Sequence, residues 1–201
     1  MLGNFVKDNM KYIGLDISSS VIGWNYFEIK NKNILNNSIK CGYIKPPKLQ
    51  EIESLIELKK IILDQFKPYK RKKDLEISIE EFPFFISKGK GNFNSTARTI
   101  TKLAIYNRFV SSVFYEMFNT EPTFYKVATI RASIKKLVNE KDVKKQDMPR
   151  CVEKVILDRC NKKWEFPYVI NSKNKIAKES EDIADSFGVS ITHAYKIGEI
   201  E

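Results

Sequence analysis

The feature that most constrains this chain is an acid set inside an apolar strand. Tyr12 to Ile17 reads as a β-strand, and Asp16 lies in it among Ile13, Leu15 and Ile17. A carboxylate there is costly unless something compensates its charge. A metal ion would do so, and a bond to the Ser18–Ser20 turn is the plainer alternative. After that turn a second strand runs from Val21 to Ile29, so the chain opens with a hairpin. A third strand fits Ile39 to Ile44, beyond the turn-forming Asn31–Asn37 stretch and before Pro46 and Pro47.

The pattern then alternates. Leu49, Ile52, Leu55, Ile56, Ile62 and Phe66 recur at helical spacing up to Pro68. After the basic run Lys70–Lys73, Leu75, Ile77 and Ile79 alternate with Glu76, Ser78 and Glu80 as a strand. A Gly-rich basic segment, Ser87 to Asn94, leads into a long helix from Ser95 to Phe118 and a short strand from Thr123 to Val127. Helices follow at Thr129–Val138 and Lys145–Cys160, then a loop from Asn161 to Glu179 and a last helix from Ser180 to Tyr195. This order predicts an α/β fold with a mixed five-stranded sheet, opening with a three-stranded antiparallel meander and flanked by helices. With 201 residues and no internal repeat, a single domain spanning 1–201 is expected, preceded by a short N-terminal arm at 1–10.

Composition narrows the function. The chain is 42% hydrophobic and 30% charged, the balance of a globular protein. Its 35 Lys and Arg against 25 Asp and Glu leave a net charge of +10, which points to a polyanionic partner. One histidine, His193, excludes chemistry built on several imidazoles. Cys41, Cys151 and Cys160 stand at no metal-ligand spacing and fit a reducing cytosol. Residues 1–10 lack the apolar stretch of a signal peptide, and no apolar run is long enough to span a membrane.

Any metal must therefore be held by carboxylates. Glu80 ends its strand; because successive strand residues face opposite ways, Glu80 or Glu81, but not both, can share a side with Asp16. Glu80 follows the apolar Ile79, whereas Glu81 precedes the turning Phe82–Pro83, so Glu80 is the candidate, with a solvated strand end as the alternative. Asp182 and Asp185 are three apart on one helical face, and Asp182 is also placed to cap the helix. Four such carboxylates suit two Mg²⁺ ions about 3.5 to 4 Å apart in phosphodiester hydrolysis. His193 lies eleven residues beyond Asp182, about 16 Å along a helix, too far to join that set.

At these residues the chain resembles the RuvC family of Holliday-junction resolvases, which includes stand-alone phage versions. Ile13-Gly14-Leu15-Asp16-Ile17-Ser18-Ser19-Ser20-Val21-Ile22-Gly23-Trp24 looks like the family's opening strand and turn, with Ile17-Ser18 replacing the usual Pro-Gly. Ile79-Glu80 before Glu81-Phe82-Pro83-Phe84, and Asp182 through the Thr192-His193 ending, are similar to its second and closing acidic segments. The resemblance implies an RNase H-like nuclease domain and the activity of a Mg²⁺-dependent crossover junction endodeoxyribonuclease. It further implies two ions per site, with Mn²⁺ as an alternative, held by Asp16, Glu80, Asp182 and Asp185. Arg131 and either Lys144 or Lys145 would lie near the scissile phosphate, and Phe84, with Phe85, would insert between bases unless it packs in the core. The partners implied are branched DNA, four-way junctions above all, and a second copy of the chain in a homodimer that makes paired symmetric nicks, with the helix Ser95–Phe118 in its interface. No membrane and no nucleotide cofactor enter this reading, and its place is a bacterial cytosol, or that of an infected host cell for a viral protein. Two other readings remain open: a noncatalytic branched-DNA-binding protein, and another RNase H-like or actin-like phosphate-handling enzyme.

Overall fold

The computed structural model describes residues 9–81, 97–160 and 163–201. The strands are β1 (Met10–Ile17), β2 (Ile22–Lys30), β3 (Asn33–Ile34), β4 (Lys40–Ile44), β5 (Leu75–Glu80) and β6 (Thr123–Tyr125). The helices are α1 (Glu51–Phe66), α2 (Ala97–Phe118), α3 (Val127–Val138), α4 (Met148–Arg159) and α5 (Glu179–Lys196). One mixed sheet runs β3-β2-β1-β5-β6, with β4 also paired to β2. β1 and β2 are antiparallel; β1, β5 and β6 are parallel.

The sheet has six strands rather than the five expected. Asn31 and Lys32 both take positive φ, the two-residue turn that suits a hairpin's twist, so Asn33 and Ile34 fold straight back onto Lys30 and Ile29. An Asn- and Lys-rich stretch reads as turn alone, because two paired residues leave no alternating pattern. The three-stranded meander expected at the start is present as β1-β2-β4. Within the stretch expected to be an N-terminal arm, Met10 pairs with Ile29 and Asn9 donates to Glu28, while residues 1–8 lie outside those described.

Alternation along the strands separates two cores. Ile13, Leu15, Ile17, Ile22, Trp24, Leu75, Ile77 and Ile79 pack against α1 and α2 on one face. On the other, Tyr12, Phe27 and Ile29 pack against α3, α4 and α5. Asp16, Glu76, Ser78 and Glu80 share the second parity, which turns them toward the face that α5 covers.

α5 is buried along almost its whole length, from Ser180 to Ala194. Two glycines set how closely it approaches. A Cβ on Gly14 would overlap the carbonyl of Ser186 and the side chain of Asn25, and one on Gly23 would overlap the carbonyl of Asp182. Beside them the fully buried Asn25 donates to Ser190 Oγ at 2.9 Å and accepts from it at 3.1 Å. Losing one partner of that bond would leave a buried polar group unpaired, at a cost of about 1–3 kcal/mol.

Candidate active site

The carboxylates come from three places in the chain. β1 and β5 run parallel with Leu15 beside Ile79, so the next residues, Asp16 and Glu80, lie at the carboxyl-terminal edge of two neighbouring interior strands. α5 begins over that edge, and its first two turns carry Asp182 and Asp185. Gly23 pairs with Asp16, so the same glycine that lets α5 down onto the sheet sits opposite the first acid. Asp16 takes no part in the adjoining turn; the Ser18 hydroxyl accepts from the Val21 amide at 3.0 Å and donates to its carbonyl at 2.7 Å.

The four charges act on one another. Burial, then Glu80, Asp185 and Asp182, push the Asp16 carboxyl well above the usual carboxylate range, against the pull of Lys145. Burial and then Asp185 raise Glu80 to about 7, with Lys145 and Arg131 opposing. Burial raises Asp185 to about 6, against its contact with Lys145. Burial likewise raises Asp182, whose Oδ2 is buried without a hydrogen-bond partner among the described residues. The site is a recess in which negative charge is concentrated and under-compensated.

One ammonium enters it. Lys145 Nζ stands 3.5 Å from Asp185 Oδ2 and 3.8 Å from Glu181 Oε2. Burial works against the Lys145 charge, yet Asp185, Asp16, Asp182 and Glu181 hold its pKa above the ordinary lysine value. Arg131, on α3, acts on Glu80 and Asp185 from its own side. Lys144 is exposed, and its backbone amide donates to Asp147 Oδ2 at 3.1 Å. Of these two lysines, Lys145 is the one that faces the acids. Phe84 and Phe85 lie outside the described residues.

As they stand, no group of His, Cys, Asp or Glu side chains among the described residues is disposed to hold a metal ion. The chemistry of the donors nevertheless fits a hard divalent cation. They are all carboxylate oxygens, burial first and then their acidic neighbours push Asp16 and Glu80 above the usual carboxylate range, and Asp182 Oδ2 is a buried acceptor without a donor among the described residues. Holding an ion would require the carboxylates to turn toward one another, with Lys145 giving way.

His193 is not part of this recess. It is buried farther along α5, its Nδ1 2.9 Å from the Tyr125 hydroxyl and its Nε2 3.1 Å from Glu76 Oε2. What the reading of motifs missed was Glu181 as an ion-pair partner of Lys145, and the role of Gly14 and Gly23. A lone glycine inside a strand does signal a close backbone approach, though not which element approaches.

No protein-family model and no curated protein matches the sequence. Solved structures do match in fold. Thermus thermophilus RuvC in complex with a Holliday junction substrate superposes with a TM-score of 0.60 at 12% identity, over 94% of this chain and 97% of that one. The yeast mitochondrial Holliday junction resolvase Ydc2 gives 0.55 at 8% identity, over 93% and 80%. The fold is that of the RuvC-like resolvases. A second Thermus thermophilus RuvC structure gives 0.55 at 14% identity, over 94% and 98%, so the RuvC-like, RNase H-type architecture extends over nearly the whole chain. No helix among the described residues is long and apolar enough to cross a membrane.

Proposed function

We propose that this protein is a structure-selective endonuclease that resolves four-way junctions and other branched DNA by metal-dependent phosphodiester hydrolysis. The observation that carries the reading is the convergence of Asp16, Glu80, Asp182 and Asp185, from two strand ends and one helix, on a recess where the other three raise the pKa of Asp16. The RuvC-like fold and the net charge of +10 support a DNA substrate.

In this reading the four carboxylates hold two Mg²⁺ ions, with Mn²⁺ as an alternative. The ions supply Lewis-acid stabilisation and a water activated at neutral pH, so no protein nucleophile is required. The chain's own contribution is placement. Gly14 and Gly23 bring the acids of α5 within reach of those on the sheet, and the buried bond between Asn25 and Ser190 fixes that approach. Lys145 and Arg131 are the cations positioned to face nonbridging phosphate oxygens. Paired nicks call for a homodimer, and α2, where Ile105 and Tyr115 leave apolar surface exposed, is the element we assign to its interface. The proposed setting is a bacterial cytosol or that of an infected cell.

The test is incubation of the purified protein with a labelled synthetic four-way junction and with linear duplex, in Mg²⁺ and in EDTA, beside Asp16→Asn. The expected result is paired nicks near the branch point, only with metal and only for the unaltered protein. A junction that is bound but never cut, whatever the metal or pH, would overturn the nuclease reading and leave a noncatalytic binder.

A further inference from the structure

The segment between α4 and α5, expected to be a loop, contains a short β-ribbon at the edge of the acidic recess. Ile170 and Ile176 form an antiparallel bridge. The Ala177 amide donates to the Val169 carbonyl at 2.7 Å and the Asn171 amide to the Lys175 carbonyl at 2.9 Å. At the tip, Asn171 Oδ1 accepts from the Lys173 and Lys175 amides at 2.9 and 3.1 Å, and Asn174 takes a left-handed φ of 54°. The base of the ribbon is tied into α5: the Val169 amide donates at 2.8 Å to Ser180 Oγ, a fully buried residue two positions before Asp182.

This well-bonded ribbon presents an unusual surface. Directly paired residues of an antiparallel ribbon point to the same side, so Ile170 and Ile176 lie together, 54% and 58% exposed. Tyr168, two residues before Ile170 and 41% exposed, extends the same patch. The tip is cationic. Lys173 and Lys175 are exposed and pair with no acid among the described residues, and Lys178 is exposed at the start of α5. Between the ribbon and the start of α4 lies a cleft of about 440 Å³, lined by Tyr168, Ile176, Lys178, Arg150, Gln146 and Glu181. Glu181, in the lining of this cleft, also stands 3.8 Å from Lys145, so the cleft borders the carboxylate site through that one residue.

We propose that the ribbon from Tyr168 to Lys178 is a DNA-engaging element that grips the branch point beside the scissile phosphate. This rests on the junction-nuclease reading and assigns that site a substrate contact. Lys173, Lys175 and Lys178 take backbone phosphates. Ile170 and Ile176, with Tyr168, form an apolar wedge against the exposed base step at the branch. Apolar side chains wedge between base steps elsewhere at the cost of unstacking them. That cost is lowest where stacking is already interrupted, as it is at a junction. A protein partner would suit the isoleucines but would not account for tip lysines that pair with no acid among the described residues, beside a cleft that borders the acidic site at Glu181; DNA accounts for both.

The experiment uses the full chain carrying Asp16→Asn, so that DNA stays intact, and a junction with 2-aminopurine at the branch point. In that background, Lys173→Gln with Lys175→Gln should weaken junction binding and reduce the slope of log affinity against log salt by about 2, one for each phosphate no longer neutralised. Ile170→Ser with Ile176→Ser should keep the salt slope and abolish the fluorescence rise that reports unstacking. Both pairs of residues are solvent-exposed, so circular dichroism and melting temperature should not change. If the Asp16→Asn protein binds the junction and neither pair alters slope or fluorescence, the ribbon proposal falls and the nuclease reading stands. If the Asp16→Asn protein does not prefer the junction to duplex, both fall.

Discussion

The backbone carbonyl of Asp182 occupies the place where a side chain on Gly23 would begin. A helix carrying two acids is thereby pressed onto a strand that pairs with Asp16, and the distance between the two halves of the site is set by an absent methyl group. The neighbouring atom is backbone, so no rotamer change can make room. Gly23→Ala should destabilise the protein by about 2 kcal/mol or more, the upper range of overpacking effects. Urea denaturation measures this, and a stability unchanged within about 0.5 kcal/mol would show that α5 is free to shift.

The acids themselves should destabilise the metal-free protein. Asp185 is largely buried and its pKa is raised to about 6, so its ionised form is disfavoured at pH 8. Each unit of such a shift corresponds to about 1.4 kcal/mol before relaxation. Asp185→Asn should therefore raise the melting temperature in EDTA by several degrees while abolishing junction cleavage. A lower melting temperature would mean that the Lys145 contact outweighs the burial.

The pH dependence has a definite sign. Glu80 near 7, Asp185 near 6 and Asp16, which burial and its acidic neighbours push well above the usual carboxylate range, all bind protons more tightly folded than unfolded, where carboxyls titrate near 4. Their contribution to stability is complete below about pH 4 and is lost as pH rises through about 6 to 7. In EDTA, the difference in unfolding free energy between wild type and the Asp16→Asn, Asp185→Asn double variant should therefore widen from pH 5 to pH 8. Saturating Mg²⁺ should reverse the wild-type trend. A difference independent of pH would contradict the crowding of these carboxylates.

Lys145 supplies the positive charge within the recess, 3.5 Å from Asp185. Lys145→Met should lower the melting temperature in EDTA at pH 8, because the acids lose their counter-ion. The stabilisation gained on adding Mg²⁺ should grow, since the ion no longer competes with an ammonium. Thermal melts with and without Mg²⁺ decide this, and an unchanged metal response would place Lys145 outside the ion's reach. Lys144→Met, whose side chain is exposed, should leave both values within about a degree.

Much of this architecture is written in local pattern. The alternation in Leu75–Glu80 marks β5 to the residue, the helical stripe ending at Phe66 marks the end of α1, and the four acids can be picked out by position in the chain. Periodicity shows that an element has a buried side and which residues share it. It does not show which sides meet. That Asp16, Glu80 and the first turns of α5 converge depends on the parallel register of β1 with β5 and on two glycines that admit a backbone. The contact of Lys145 with Asp185, the seating of His193 between Tyr125 and Glu76, and the ribbon anchored on Ser180 likewise rest on pairings that local pattern does not show. The chain's local chemistry determined the parts and their order; the close packing of α5 on the sheet decided that they form one site, because only tertiary contact sets the distances over which charges act.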